Sequence, residues 1–126
     1  MESLILQASS RTPQVQFDIN SGEFFIKGKS IPDNSVEFYK PVFEWLTKYF
    51  ENPLKSNSIT FALDYYNTSS AKCLADILKK IQAVYVAGGC TIEIIWVYQE
   101  FDEDMLEAGE EFKSSLTVPF TLSGIK

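Results

Sequence analysis

The side chains best suited to chemistry in this 126-residue chain stand together in Asp64-Tyr65-Tyr66-Asn67-Thr68-Ser69-Ser70-Ala71-Lys72. Ile59, Phe61 and Leu63 before them alternate as in a strand, whereas Ala71, Leu74, Ala75, Leu78 and Ile81 keep a helical spacing. The period changes at Asn67 to Ser70, which places three hydroxyls and an amide at a helix N-terminus. Such a terminus carries unpaired N–H groups and partial positive charge, so it suits a capping oxygen or a phosphate. Thr68 is expected to fill that role. Asn, Thr and Ser are all preferred N-cap residues, and plain capping therefore stays open on local sequence. Position argues for more, because open α/β sheets gather ligands at the carboxyl ends of their parallel strands. Asp64, Tyr66, Asn67, Ser69, Ser70 and Lys72 flank the turn and are expected to be partner-binding. Lys72, four residues past Thr68, would screen a negative charge placed there.

Other chemistries find little support. With no histidine, Ser-His-Asp and Cys-His arrangements and most catalytic zinc sites are excluded. Gly88-Gly89 follows a helical pattern and precedes a strand, the reverse of a phosphate-cradling loop, and reads as a helix C-cap. Asp102, Glu103, Asp104, Glu107, Glu110 and Glu111 match no calcium or magnesium loop spacing and read as a solvated helix face. Cys73 and Cys90 fall inside a helical and a strand pattern and read as small buried groups in a reducing compartment. No metal and no cofactor are expected. A net charge of −6 and a pI near 4.6 argue against nucleic acid, whose binding needs clustered Lys and Arg. A hydrophobic share of 45% with 22% charged residues suits one globular domain over residues 1–126. Met1 to Gln7 lacks the basic and apolar regions of a signal peptide, and no run approaches the ~20 apolar residues of a membrane span. A cytoplasmic location without membrane insertion is expected.

The elements that must position the Thr68 turn can be read in order. Leu4 to Ala8 forms a short strand, and Gln14 to Asn20 and Glu23 to Gly28 form an antiparallel hairpin around Asn20-Ser21-Gly22. Asn34 and Glu37 make a capping box for a helix with Phe38, Val42, Phe43, Leu46, Tyr49 and Phe50. Pro41 predicts a kink, or a short turn before a main helix starting near Lys40. The strand before Thr68 and the apolar run Thr91 to Tyr98 are joined by a helix and should be parallel. That run predicts burial on both faces. An acidic helix over Glu103 to Ser114 and a strand over Val118 to Leu122, with Pro119 marking an edge, complete the chain. The fold class is α/β, a mixed sheet with an antiparallel N-terminal hairpin, parallel central strands and packed helices.

Thr12-Pro13, Pro32-Asp33-Asn34-Ser35, Asp64-Tyr65-Tyr66-Asn67-Thr68-Ser69-Ser70, Gly88-Gly89, Glu110-Glu111-Phe112 and Pro119-Phe120 carry a likeness over nearly the whole chain. In this order the sequence resembles the SiaC family of bacterial regulatory phosphoproteins, which are similar in architecture to STAS domains and anti-sigma-factor antagonists. The resemblance implies a phosphoprotein modified on Thr68 by a serine/threonine kinase and restored by a phosphatase of the partner-switch type. It also implies that the unphosphorylated form binds and activates a diguanylate cyclase in c-di-GMP and biofilm signalling. The wider STAS group has Asp-Ser-Ser/Thr-Gly here, and this chain departs from it at Asn67 and Ser70, so anti-sigma partners do not carry over. The expected function is a non-enzymatic phospho-switch. The alternative is a small α/β ligand-binding domain or enzyme at the same strand end, with Thr68 or Ser69 on the substrate and Asp64 as its one evident general base.

Overall fold

The computed structural model describes all residues from Met1 to Lys126. Alternating apolar residues build β1 (Leu4–Leu6), β2 (Gln14–Phe17) and β3 (Glu23–Ser30), paired antiparallel in sequence. The β2–β3 link turns at Gly22, whose φ of +74° and approach to the Ser56 carbonyl oxygen leave no room for a side chain. Three strand–helix–strand units follow: α1 (Ser35–Tyr49), β4 (Ser56–Tyr66), α2 (Thr68–Ala87), β5 (Thr91–Gln99), α3 (Glu103–Ser114) and β6 (Phe120–Ile125). The six-stranded sheet keeps chain order, β1 to β6, and β3, β4, β5 and β6 are parallel.

This order decides where the helices go. Each crossover moves to the next strand in the same direction, and crossovers of one hand then put every helix on one face. The packing agrees: Phe24 of β3 meets Trp45 of α1 at 5.3 Å between ring centroids, and Trp96 of β5 meets Phe112 of α3 at 5.5 Å. The core is this single layer, with Phe24, Ile26, Ile59, Phe61, Ile94 and Trp96 facing Val42, Leu46, Leu74, Ile77, Leu78 and Ile81. Burial of β5 on both faces, expected from its apolar run, is therefore not found. Ile92, Ile94 and Trp96 are buried, Thr91 and Glu93 are exposed, and Ile95 and Val97 are only partly covered.

Several boundaries differ from the sequence reading. α1 runs unbroken from Ser35, capped by Asn34, whose Oδ1 accepts the Glu37 N–H (3.1 Å). Neither a separate turn nor a start near Lys40 is present. Pro41 lies within the helix on its exposed side, so the Glu37 carbonyl left without a donor can be satisfied by solvent. β1 stops at Leu6, short of Ala8, and Cys90 sits in a bend before β5. β6 starts after Pro119, whose carbonyl accepts the Ile94 N–H, and forms one edge of the sheet. α2 ends at Gly88, with φ +82° and its N–H on the Val84 and Tyr85 carbonyls, as a glycine C-cap should. In α3, Gly109 lets Trp96 approach so closely that a Cβ would lie 2.5 Å from the indole, whose Nε1–H donates to the Met105 carbonyl (3.0 Å).

Candidate functional site

The Thr68 turn is built by three neighbouring chain segments. At the end of β4, the Asn67 N–H donates to the Ser30 carbonyl (3.0 Å), which ties the turn to the end of β3. Asn67 stays extended (φ −82°, ψ 172°), and its Oδ1 accepts the Ser70 N–H at 2.9 Å. Asn67 is therefore the N-cap, and the capping role expected of Thr68 is corrected. An amide oxygen one residue earlier already faces the free N–H groups, so Thr68 becomes the first helical residue and its side chain is released.

The three hydroxyls that follow have different fates. Ser70 is fully buried, with its Oγ donating to the Ser30 carbonyl (3.1 Å) and lying 2.8 Å from Ser30 Oγ and 3.2 Å from Ser35 Oγ. It cannot stand among the partner-facing residues where the sequence reading placed it. Ser69 is exposed but held, 2.7 Å from Ser35 Oγ and 3.2 Å from Asn67 Oδ1. Thr68 is exposed and its hydroxyl makes no hydrogen bond within the chain. Beneath them, the hydroxyls of Ser30 and Tyr39 share a 2.6 Å hydrogen bond, and burial pushes Tyr39 up to about 12.

The serine contacts bring the first turns of α1 and α2 side by side through Ser35 and Ser69. Two helix N-termini thus direct positive partial charge to the surface that carries Thr68. Lys72 is exposed one turn along α2. Tyr66 is half-buried, its ring edge-on to Trp96 at 6.4 Å, with its phenol held above the usual tyrosine range by burial and then by Glu111. Tyr65 beside it is 57% exposed. Asp64 is exposed at a bulge, since Gly28 pairs with Leu63 and Lys29 with Tyr65. It lines a recess with Lys27, Ala62, Val97, Gln99 and the α3 N-cap Asp102, on the bare side of the sheet. The structure therefore separates Asp64 from the Thr68 turn and leaves no base poised on the Thr68 or Ser69 hydroxyl. A groove of about 560 Å³ between α1 and α2 continues from the turn, lined by Val36, Tyr39, Phe43, Cys73 and Ile77, with a rim of mixed charge from Lys40, Glu44, Asp76, Lys79 and Lys80. Burial raises Cys73 and Cys90, which disfavours their thiolates. No three carboxylate or thiol groups converge as a metal would require, and no helix is long and apolar enough to cross a membrane.

Ser30, Ser35 and Tyr39 are the site residues that local reading missed. Ser35 follows a recognisable cap and Ser30 ends a strand, but nothing in their spacing points at Ser69 or Ser70, 34 and 40 residues away.

The model of the SiaC family of regulatory phosphoproteins matches residues 6–125. The chain belongs to this family. An uncharacterised protein of Pseudomonas aeruginosa strain UCBPP-PA14 is 30% identical over 122 residues, which span 97% of this chain and 96% of that protein. SiaC of Pseudomonas aeruginosa superposes with a TM-score of 0.91 at 27% identity, over 99% of this chain and all of the other. A structure of the diguanylate cyclase SiaD in complex with its activator SiaC, from the same organism, matches with a TM-score of 0.91 at 28% identity, over 97% and 99% of the two chains. The mixed six-stranded sheet with three helices is thus the SiaC architecture, and membership places the chain among regulatory phosphoproteins.

Proposed function

We propose that this SiaC-family chain is a non-enzymatic cytoplasmic switch whose unmodified form binds and activates a diguanylate cyclase in c-di-GMP and biofilm signalling. A serine/threonine kinase phosphorylates Thr68, a partner-switch phosphatase removes the phosphate, and the modification ends cyclase binding. The observation that carries this reading is that Thr68 alone among the three hydroxyls is both exposed and unbonded, while Ser69 is held and Ser70 is buried. The likeness to an activator bound to its cyclase supplies the partner class.

The physical logic is a difference between fold and interface. A phosphate adds ~1.5 to 2 negative charges and three acceptor oxygens. Within the chain it stands at two adjacent helix N-termini, which favour it by about 0.3 to 1 kcal/mol at an exposed site. A partner that covers the neutral hydroxyl would instead have to bury a dianion, at a cost of several kcal/mol unless a cation met it. Asn67, Ser69, Lys72 and the exposed edge of Tyr66 share the rim of that contact, and the α1/α2 groove extends it. Asp64 faces the other side of the sheet, and the enzyme alternative loses its only base. Intact-mass and peptide mapping of protein from its native host tests the reading. A single phosphate on Thr68, with cyclase binding by the unmodified form alone, is the expected result. Phosphate on Ser69 only, or equal binding by both forms, would overturn it.

A further inference from the structure

Parallel strands are almost always covered on both faces, yet β3, β4, β5 and β6 have helices on one face alone. The register draws a straight row across the bare face, Ile5, Gln16, Phe25, Thr60, Ile95 and Thr121. Ile5 is 57% exposed, and Phe25 and Ile95 are partly exposed. On β3 the residues two before and two after Phe25 share this face, and they are Glu23 and Lys27, both exposed. Opposite charges at equal distances from a central aromatic make β3 complementary to an antiparallel copy of itself on this face.

We propose that this face is the interface of a homodimer, with a second copy packed sheet to sheet about a two-fold axis along the Phe25 row. That axis reverses the strand direction and brings the two Phe25 rings together. Glu23 then meets the partner's Lys27, and Lys27 meets the partner's Glu23. Aligned sheets lie about 10 Å apart with strand directions within about 30°, a gap that a glutamate and a lysine on facing strands can span. An axis along the strands is disfavoured. It would keep each row over itself, and the row Glu23, Ser58, Glu93 would set carboxylates against carboxylates. The Thr68 turn lies at the helix N-termini, outside this face, so the dimer and the switch are independent.

Sedimentation across the micromolar range should give a dimer for the unmodified chain and a monomer for Phe25→Lys. Glu23→Lys and Lys27→Glu, both at exposed positions, should each weaken the dimer by about tenfold or more, and the double variant should restore it. Circular dichroism should be the same for all four variants and the wild type. A chain that stays monomeric would overturn the proposal, as would a dimer insensitive to Phe25→Lys or a double variant no stronger than the singles. Protection of Phe25 and Ile95 amides from hydrogen exchange only when the cyclase is added to a monomeric chain would assign the face to the cyclase instead.

Discussion

A phosphate on Thr68 would extend a side chain that has no hydrogen bond to lose, so modification and stability separate at this residue. The cap next to it behaves in the opposite way. Asn67 Oδ1 holds the Ser70 N–H, and Asn67→Ala should cost about 0.5 to 2 kcal/mol of stability. Thr68→Ala, at an exposed first helical position, should stay within about 0.5 kcal/mol of wild type. Urea denaturation of the two variants checks the pair, and equal losses would move the cap back to Thr68. Tyr39 adds a pH dependence. Its neutral phenol is favoured in the fold, with the group raised from 10.0 to about 12 by burial. A group raised in this way contributes stability that is fully present below its unfolded value near 10 and is lost as pH climbs towards 12. The loss should be on the order of 2 kcal/mol. Tyr39→Phe should flatten that decline, and the difference between the two urea-midpoint profiles over this range isolates the residue from the other tyrosines.

The helices are held by features that act between elements. α3 packs on β5 through Gly109, where the indole of Trp96 occupies the space of a side chain. Gly109→Ala gains helix propensity of about 1 kcal/mol, but it forces Trp96 and Leu122 aside in a close-packed core. Overpacking of this kind costs about 1 to 3 kcal/mol, and here the methyl would meet two neighbours at once. A lower melting temperature for Gly109→Ala is expected, with loss of the near-ultraviolet signal of the buried indole first. The α1 and α2 termini are joined in another way, by Ser35 against Ser69 and Ser70 and by Ser30, whose hydroxyl links Tyr39 to Ser70. This network has no unsatisfied buried side-chain atom. It fixes the first turn of α2, so the exposed Thr68 is presented from a rigid base.

For the molecule as a whole, a phosphorylation switch should alter binding without altering the fold. Phospho-Thr68 should bind a diguanylate cyclase at least about tenfold more weakly than the unmodified form, which is ~1.4 kcal/mol. Circular dichroism and the unfolding midpoint should scarcely move. Calorimetric titration of both forms against the cyclase measures this, and equal affinities would return the Thr68 turn to a structural role. The chain already carries a net charge of −6, so one further phosphate changes its overall field little. The effect must come from the few side chains around the turn.

Much of this was legible in the residues themselves, because it depends on neighbours close in the chain. The switch of period at Asn67 to Ser70, the Asn34 cap with Glu37, the glycine stop at Gly88 and the acidic helix from Glu103 all follow from local spacing and backbone preference. Thr68 as the residue of interest came from the same pattern, strengthened by resemblance to the family. What the tertiary structure decided depends on residues far apart. The apolar run of β5 looks the same whether one face is covered or two, and only strand order put every helix on one side. Ser69 and Ser70 are as hydrophilic as Thr68, and only contact with Ser30 and Ser35 tied them down and left Thr68 free. Local spacing can place a hydroxyl on a turn, but whether it faces a partner or a buried neighbour is set by the packing of segments that meet only in the folded chain.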